Sequence, residues 1–217
     1  MVTKKQVEAF LLNPYVDKLF ALVAMLPTIS SLVTFAQEAL VGRVDLYALG
    51  IAFWGLFIVV PMLIRRTATS VSLSPLDWFV TAGRTYWVLI MYYVLDVSGS
   101  VELVPTVVSN TVFWASIFFM IYARIDLGRS IGLLPAHRGL VTTGVYGWVR
   151  HPIHTGQIVF YLAYLLHYFS PFNALIIGVG IVFVFAKTLV EERFLKRGED
   201  YREYCAQVPW RWVTWIA

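Results

Sequence analysis

Apolar residues along this chain fall into six long runs separated by short polar segments. The runs are Leu19–Phe35, Leu46–Ile64, Leu76–Leu95, Thr106–Tyr122, Gln157–Phe169 and Phe172–Val190. A helix needs about 20 mostly apolar residues to cross a bilayer. The pattern therefore predicts an all-α fold, a polytopic transmembrane helical bundle with about five to six spans. The fifth run is short, so its helix either tilts or extends back to Pro152.

The composition agrees with an integral membrane protein. Of the 217 residues, 59% are hydrophobic and 14% are charged, whereas a soluble domain has nearer a quarter charged residues. The formal charge of +4 is not gathered in one solvated stripe, so we expect no nucleic-acid partner. The single cysteine, Cys205, excludes an intramolecular disulfide framework and a cysteine-based metal site.

Basic residues mark alternate loops. The basic residues cluster before the first run, after the second, between the fourth and fifth, and after the sixth. In the other loops the only basic residue is Arg43. The positive-inside rule then predicts six crossings with both termini cytoplasmic. The polar segments 123–151 and 191–217 share that side. We divide the chain into an N-terminal transmembrane scaffold, residues 1–122, and a functional core, residues 123–217.

The stretch GVYGWVRHPIHTGQ, residues 144–157, precedes the fifth run. Proline is well placed in the first turn of a helix, so Pro152 predicts a helix start with His151 beside it. Free N–H groups and a partial positive charge at such a start suit an anion, and Arg150 and His151 add donors. Gly144 and Gly147 permit a close backbone approach. The alternative is that Arg150 only anchors the chain at the membrane face.

The stretch AKTLVEERFLKRGEDYREY, residues 186–204, follows the sixth run. On a continuing helix Lys187 and Glu191 share a face at i,i+4, whereas Glu192 points away together with Thr188. Two adjacent carboxylates at a membrane boundary are costly unless cations or donors meet them. The structural alternatives are a simple Lys187–Glu191 pair and a Glu192 that belongs to the solvated end of the helix.

Arg84 lies inside the third run. It either snorkels to the cytoplasmic boundary or points inward to bind an acidic group. Trp210, Trp212 and Trp215 near the C-terminus are typical of an interfacial aromatic belt. Four histidines are too few for a histidine-box di-iron site, and we predict no metal, although the following side chains could be imagined as ligands: His151, His154, His167, Glu191 and Glu192.

The ordered motifs GLVTTGVYGWVRHPIHTGQ, EERFL and GEDYREYCAQVPWRW together resemble the C-terminal half of the isoprenylcysteine carboxyl methyltransferase family. The related phospholipid methyltransferases share much of this pattern. The resemblance covers roughly residues 125–212. Two positions depart from the family: His154 stands where a tyrosine is usual, and Lys187 stands where the isoprenylcysteine enzymes have a substrate-binding arginine.

The resemblance implies a fold, a cofactor and a set of contacts. It implies S-adenosylmethionine bound by the C-terminal half at the cytoplasmic face, with a lipophilic substrate entering from the bilayer. Lys187, with Arg84, is expected to bind the substrate. The family's cofactor contacts carry over to the following positions: Ile131, Arg138, Gly139, Leu140, Val141, Tyr146, His151, Pro152, Ile153, His154 and Glu191.

The expected function is an S-adenosylmethionine-dependent methyltransferase, with carboxyl O-methylation of an isoprenylcysteine-like or other lipid acid. A carboxylate is already ionised near neutral pH, so no catalytic base is assigned. An amine or thiol acceptor would make Glu192 or His154 a candidate base. The alternatives are an NADPH-dependent isoprenoid or sterol double-bond reductase, which YCAQVPWRW also resembles, and a non-catalytic membrane scaffold.

Overall fold

The computed structural model of the protein describes residues 3–42, 46–95, 98–132 and 134–213, so that Arg43 and Trp215 lie outside the described residues. Within these ranges the chain forms eight α-helices, two short strands and one 3₁₀ helix. The helices are α1 Lys4–Leu11, α2 Pro14–Leu40, α3 Leu46–Leu63, α4 Pro75–Val94, α5 Thr106–Leu127, α6 Pro152–His167, α7 Pro171–Leu195 and α8 Glu199–Gln207; the strands are β1 Ser70–Val71 and β2 Ala136–His137; the 3₁₀ helix is Gly144–Gly147.

The predicted all-α class is confirmed, and each predicted apolar run lies mostly or wholly within one helix. Three helices, α2, α5 and α7, are long and apolar enough to cross a membrane, and α3 contains the shorter apolar stretch Leu49–Leu63. Helix α6 begins at Pro152, so the fifth run does extend back to that proline. The exact number of crossings and the orientation of the termini stay predictions.

Proline and short polar side chains set the starts of these helices. Pro14, Pro75, Pro152 and Pro171 each occupy the first turn of a helix, where the missing N–H leaves no helical bond unmade. At the start of α7, the Ser170 side chain accepts a hydrogen bond of 3.0 Å from the Asn173 backbone N–H. These starts determine where α6 and α7, the two helices of the site, enter the bundle.

The core of the bundle is formed where α5 and α6 pack along their lengths. Phe113 of α5 and Phe160 of α6 are buried, with ring centroids 4.8 Å apart. Gly156 permits this close approach, because a Cβ at that position would collide with the Met120 side chain. Helix α7 packs against α4 and α6, whereas α2 packs mainly on α3 and leaves most of its surface exposed.

Two loops pair at one end of the bundle, which the sequence analysis did not predict. Strands β1 and β2 are antiparallel, with Ser70 opposite His137 and Val71 opposite Ala136. Asp77 at the start of α4 accepts from Ser72 Oγ and from Arg193 Nη2 of α7, both at 2.5 Å. The paired loops are thereby joined to the start of α4 and to the end of α7.

Candidate active site

A cavity of about 180 Å³ lies at this end of the bundle. Its wall is built from α3, α4, α5, the loop around β2, the 3₁₀ helix, the start of α6, the end of α7 and α8. The segments that supply the wall are distant in sequence, from Trp54 to Tyr204. Ionisable and aromatic side chains line much of it, which is typical of a binding site and not of a packing defect.

The structure brings nearly all the predicted site residues to this cavity. Arg84 and Lys187, the predicted substrate ligands, both line it. Pro152 is buried at the first position of α6 and does not contribute to the wall. The other predicted cofactor contacts line the cavity, namely Ile131, Arg138, Gly139, Leu140, Val141, Tyr146, His151, Ile153, His154 and Glu191.

The start of α6 is built differently from the anion site that its sequence predicts. The Arg150 and His151 backbone N–H groups donate to the carbonyls of Trp210 and Arg211, at 2.9 Å each. Arg150 Nε lies 2.9 Å from Glu192 Oε1, and His151 Nε2 lies 3.4 Å from the same oxygen. These two side chains therefore lie against Glu192 within the protein, and their donation to a ligand anion stays a prediction.

Glu192 is the buried centre of a cationic cluster, not part of a solvated helix end. Its side chain is 3% exposed. Its second oxygen, Oε2, lies 3.1 Å from Lys196 Nζ and 3.1 Å from Arg211 Nε. A carboxylate with this many cationic partners is held ionised and occupied, so Glu192 is not the base that an amine or thiol acceptor would need.

Glu191 faces the opposite way, into the cavity. Its Oε1 pairs with Lys187 Nζ at 2.9 Å, one helical turn earlier, as the i,i+4 spacing predicts. The Lys187 side chain is only 3% exposed, whereas that of Glu191 is 21% exposed. Lys187 is therefore paired with a residue of its own helix. The second oxygen of Glu191, Oε2, lies 4.0 Å from His151 Nδ1 and 3.9 Å from His154 Nε2.

His154 is tied to α7 and to the C-terminal segment through one hydroxyl. Its Nδ1 lies 2.8 Å from Thr188 Oγ1, and Trp212 Nε1 donates to the same oxygen at 3.1 Å. The Trp212 ring also meets Phe185 edge to face at 4.8 Å. Trp212 thus directs its indole N–H into the bundle, which the aromatic-belt interpretation did not predict.

Arg138 lines the cavity, but its guanidinium binds other groups of the protein. Its Nη2 lies 2.7 Å from Asp17 Oδ1, which also binds Arg65 Nη2 at 2.6 Å, and its Nη1 donates to the Arg66 carbonyl. Burial lowers the pKa of Arg138 from its ordinary value, and the hydrogen bond to Asp17 opposes that shift. Arg138 therefore anchors the loop around β2 to α2.

Three tyrosines, Tyr146, Tyr201 and Tyr204, line part of the cavity. Tyr204 Oη donates to the Tyr146 carbonyl at 2.7 Å. Burial raises the pKa of Tyr146, Tyr201 and Tyr204 above the ordinary value, so all three remain protonated donors. The Tyr201 hydroxyl is buried without a hydrogen-bond partner in the described part of the chain. Sequence reasoning missed Tyr201 and Tyr204 as site residues, although their spacing of three on α8 was visible.

Gly144 shapes the turn before α6. Its φ is +61°, which favours glycine, and a Cβ there would collide with the Asp126 carboxylate. Asp126 Oδ2 accepts from the Val145 backbone N–H at 2.9 Å. The turn therefore presents Tyr146 to the cavity through contacts within the protein.

Arg84 lines the cavity, and its guanidinium Nε has no hydrogen-bond partner among the residues that the structure describes. That nitrogen is buried. The side chain leaves α4 toward the cavity, so inward pointing is the correct one of the two sequence alternatives. A buried guanidinium nitrogen without a partner is costly unless a ligand meets it.

A second cavity of about 180 Å³ adjoins the first and shares Thr85, Leu134 and Arg138 with it. Its other walls include Phe20 of α2 and Trp78 of α4. The wall is mostly apolar. The first cavity, which Arg84, Lys187 and Glu191 line, thus borders a mostly apolar space between α2 and α4.

The segment that builds the site matches known methyltransferases. Residues 104–200 match the family model described as "Phospholipid methyltransferase". The chain is 34% identical over 95 residues to the Arabidopsis thaliana protein "Protein-S-isoprenylcysteine O-methyltransferase B", covering 40% of this chain and 48% of the relative. The resemblance to the isoprenylcysteine carboxyl methyltransferase family is confirmed. The long apolar helices are typical of an integral membrane protein.

The match to these methyltransferases covers part of the cavity and leaves part outside. The cofactor contacts carried over from the family, which run from Ile131 to Glu191, lie inside the matched residues. Arg84, Arg211 and Trp212 lie outside them. The chain spans about half the length of the relative.

The three side chains His151, His154 and Glu191 could also be considered as metal ligands, because one ligand atom from each lies within 4.8 Å of the others. The charge around them opposes a divalent cation. Glu191 already pairs with Lys187 at 2.9 Å, and Arg84 lines the same cavity. We assign no metal to this group.

Proposed function

We propose that this protein is an integral membrane methyltransferase that uses S-adenosylmethionine and methylates a lipophilic acceptor, namely the carboxylate of an isoprenylcysteine-like or other lipid acid. One observation carries the proposal. The family's cofactor contacts except Pro152, spread over 131–191, line one cavity that contains several charged side chains and borders a mostly apolar cavity. A water-soluble methyl donor and an oil-soluble acceptor need such a junction.

The cavity wall fits the functional groups of S-adenosylmethionine. The cofactor carries a carboxylate, an ammonium and a ribose, and it supplies a methyl group on a sulfonium. Glu191 Oε2 suits the ammonium or the ribose hydroxyls, and the unpartnered Tyr201 hydroxyl offers a donor. The helix dipole leaves a partial positive charge at the start of α6, which suits the carboxylate although the Arg150 and His151 N–H groups donate within the protein. The Tyr146 ring gives a buried aromatic face.

Arg84 supports an acid as the acceptor. It is a cavity-lining cation with an unpaired buried nitrogen, whereas Lys187 is paired with Glu191. A guanidinium binds a carboxylate through two parallel hydrogen bonds, which an ammonium cannot do. The apolar cavity between α2 and α4 provides room for the lipid part. A phospholipid is the second candidate acceptor, since the matched family model is described as "Phospholipid methyltransferase". The Arg84 cation disfavours a phospholipid amine.

The protein's contribution to such a reaction is positioning and exclusion of water. A carboxylate oxygen can attack the sulfonium methyl group in line without losing a proton. Arg84 would orient the carboxylate, and the tyrosines and the loop around β2 would limit the access of water to the reacting groups. No side chain in this account acts as a general base.

Titration calorimetry of the detergent-purified protein with S-adenosylhomocysteine, with NADPH as the parallel ligand, tests the proposal. We expect the first to bind and the second not to bind. At a hundred times its dissociation constant, S-adenosylhomocysteine should also stabilise the protein by about 2.7 kcal/mol in a thermal scan. Binding of NADPH alone would favour the reductase, and binding of neither would favour the scaffold. The comparisons favour the methyltransferase over both.

Arg84→Gln should separate acceptor binding from cofactor binding. We expect KM for a prenylcysteine acid, N-acetyl-S-farnesylcysteine, to rise about 10-fold or more, since a charge-assisted hydrogen bond contributes about 1.5–3 kcal/mol. The affinity for S-adenosylhomocysteine should change less than twofold. Arg202→Gln, which removes an exposed cation of α8, is the control. An unchanged KM in Arg84→Gln would remove Arg84 from the acceptor site.

A further inference from the structure

The wall of the second cavity carries one positive charge more than its acidic side chain can neutralise. Arg65 and Arg138 both line this cavity, and Asp17 is the acidic residue among the described residues of its wall. Arg65 donates to the Asp17 carboxylate from Nε at 2.7 Å and from Nη2 at 2.6 Å. Arg138 Nη2 donates to the same carboxylate at 2.7 Å. Two guanidinium groups, which do not lose their protons in proteins, therefore share one negative charge.

One nitrogen of the Arg65 guanidinium is left unpaired within the described part of the chain. The Arg65 side chain is only 4% exposed. Its Nε and Nη2 both donate to the Asp17 carboxylate, and Nη2 also donates to the Asp17 backbone carbonyl at 3.0 Å. The third nitrogen, Nη1, is buried without a hydrogen-bond partner. A buried charged donor without a partner is costly, so an acceptor on a ligand would stabilise it.

Thr81 adds a second unpaired polar group to the same cavity. It lies on α4, is 5% exposed and lines the second cavity. A threonine inside a helix often donates its hydroxyl hydrogen to the carbonyl four residues earlier, as Thr111 and Thr188 do at 2.7 and 3.0 Å. The Thr81 hydroxyl is buried and has no such partner among the residues that the structure describes. Its hydrogen is therefore available to an oxygen of a ligand.

The rest of the wall indicates what kind of molecule can bring these oxygens. Apolar side chains form most of it, among them Phe20, Val71 and Trp78. Asp17 lies in the first turn of α2, and Arg65 lies two residues after the end of α3, so the charged groups are at an end of the bundle. Lipid head groups meet a membrane protein at such helix ends. An acidic group on a hydrocarbon chain matches both the charged and the apolar parts of the wall.

We propose that the second cavity binds the acidic head group of a lipid, a phosphate or a carboxylate, with Arg65 Nη1 and Thr81 Oγ1 as donors to its oxygens. The proposal does not depend on the proposed function, because both residues precede residues 104–200, which match the methyltransferase family model. Asp17 is not available to a cation of the ligand, since both of its oxygens already accept from Arg65 and Arg138. The head group belongs either to a membrane phospholipid that stays bound or to an acceptor whose acid reaches beyond Arg84 into the second cavity.

The head group is tested by titrating the delipidated protein in detergent with phosphatidic acid and with diacylglycerol of the same chains. Diacylglycerol keeps the hydrocarbon and lacks the phosphate. We expect phosphatidic acid to bind at least about 10-fold more tightly, because charge-assisted hydrogen bonds are the strong ones. Equal affinities for the two lipids would overturn the proposal.

Inorganic phosphate is the third ligand of this titration. It should bind at least about 10-fold more weakly than phosphatidic acid, because it lacks the hydrocarbon that the apolar wall would bury. If inorganic phosphate binds as tightly as phosphatidic acid, the site takes a free anion and the assignment to a lipid is wrong.

Variants of Thr81 assign the binding to the second cavity. Thr81→Val keeps the shape of the side chain and should weaken phosphatidic acid about 3- to 10-fold, the contribution of one hydrogen bond. It should not lower the unfolding temperature of the ligand-free protein, because the hydroxyl has no partner to lose in the described structure. Thr81→Ser restores the hydroxyl and should bind like the wild type. Wild-type affinity in Thr81→Val would remove Thr81 from the site.

Arg65→Gln tests the cation of the site. It should weaken phosphatidic acid about 10-fold or more, while Asp17 keeps its pair with Arg138. Lys18→Gln, which removes an exposed cation next to Asp17, is the matched control and should change the affinity less than about twofold. An equal loss in Arg65→Gln and Lys18→Gln would show attraction to the surface charge only and would overturn the proposal. If Arg65→Gln does not fold, the comparison of Thr81→Val with Thr81→Ser decides.

The two sources of the head group are separated by KM for N-acetyl-S-farnesylcysteine in Thr81→Val. Weaker binding of phosphatidic acid with an unchanged KM supports the site with a bound phospholipid as its ligand. A KM that rises by the same factor supports the site with the acid of the acceptor as its ligand. If the wild type methylates no acceptor, the proposed function fails, and the lipid titration alone decides whether the second cavity binds an acidic head group.

Discussion

Replacing Glu192 by glutamine is expected to destabilise the protein by about 3–5 kcal/mol, the largest single effect on stability that this structure predicts. The carboxylate is 3% exposed and lies within 3.1 Å of Arg150, Lys196 and Arg211. Glutamine keeps the shape but removes the charge, and it leaves the buried Arg150 without a counterion. Breaking a buried ion pair from one side costs about this much. Thermal unfolding in detergent, without ligand, measures the change.

The controls for this prediction come from the same cluster. Lys196→Gln removes a partner that is 41% exposed, so we expect a change below about 1 kcal/mol. Arg150→Gln removes a partner that is 6% exposed and should approach the effect of Glu192→Gln. If Glu192→Gln unfolds at the wild-type temperature, the cluster is not what holds the C-terminal segment against α6 and α7.

The helices could be predicted from the sequence because their cause is local. A bilayer-crossing helix is recorded as a run of apolar residues, and a first-turn proline such as Pro152 marks where it begins. The pairing of Lys187 with Glu191 was predictable for the same reason, since two residues four positions apart on a helix lie on the same face and close together. The two short strands were not predictable, because two residues each leave no alternating pattern to read.

The candidate site could be predicted only in part, because several of its contacts join residues that are distant in sequence. The resemblance to a methyltransferase family named the residues that meet in the cavity, but not the partners of those residues. Arg138 is bound by Asp17, 121 positions away, and His154 by Thr188, 34 positions away. Glu192 appeared solvated from its neighbours in sequence, because Arg211, which neutralises it, arrives from 19 residues beyond. Such contacts follow from the tertiary fold and from nothing local.

The contrast between Glu191 and Glu192 links the fold to the proposed chemistry. The two carboxylates are adjacent, yet successive residues on a helix point about 100° apart. Glu192 is directed into a cluster of cationic side chains, whereas Glu191 keeps one oxygen toward the cavity. One side chain stabilises the structure and its neighbour is available to a ligand, so the pair allows stability and binding to be perturbed separately.

Glu191→Gln is accordingly expected to weaken cofactor binding strongly while the protein still folds. The loss of the charge facing the ammonium or the ribose should weaken S-adenosylhomocysteine by about 30-fold or more, equal to about 2 kcal/mol. Destabilisation of the ligand-free protein should be clearly smaller than in Glu192→Gln, because the glutamine carbonyl can still accept from Lys187 Nζ. Calorimetric titration and ligand-free thermal unfolding of the two variants, side by side, measure both quantities. Wild-type affinity in Glu191→Gln would show that the cofactor site lies elsewhere, and an equal loss of stability in both variants would show that the two carboxylates do not divide these tasks.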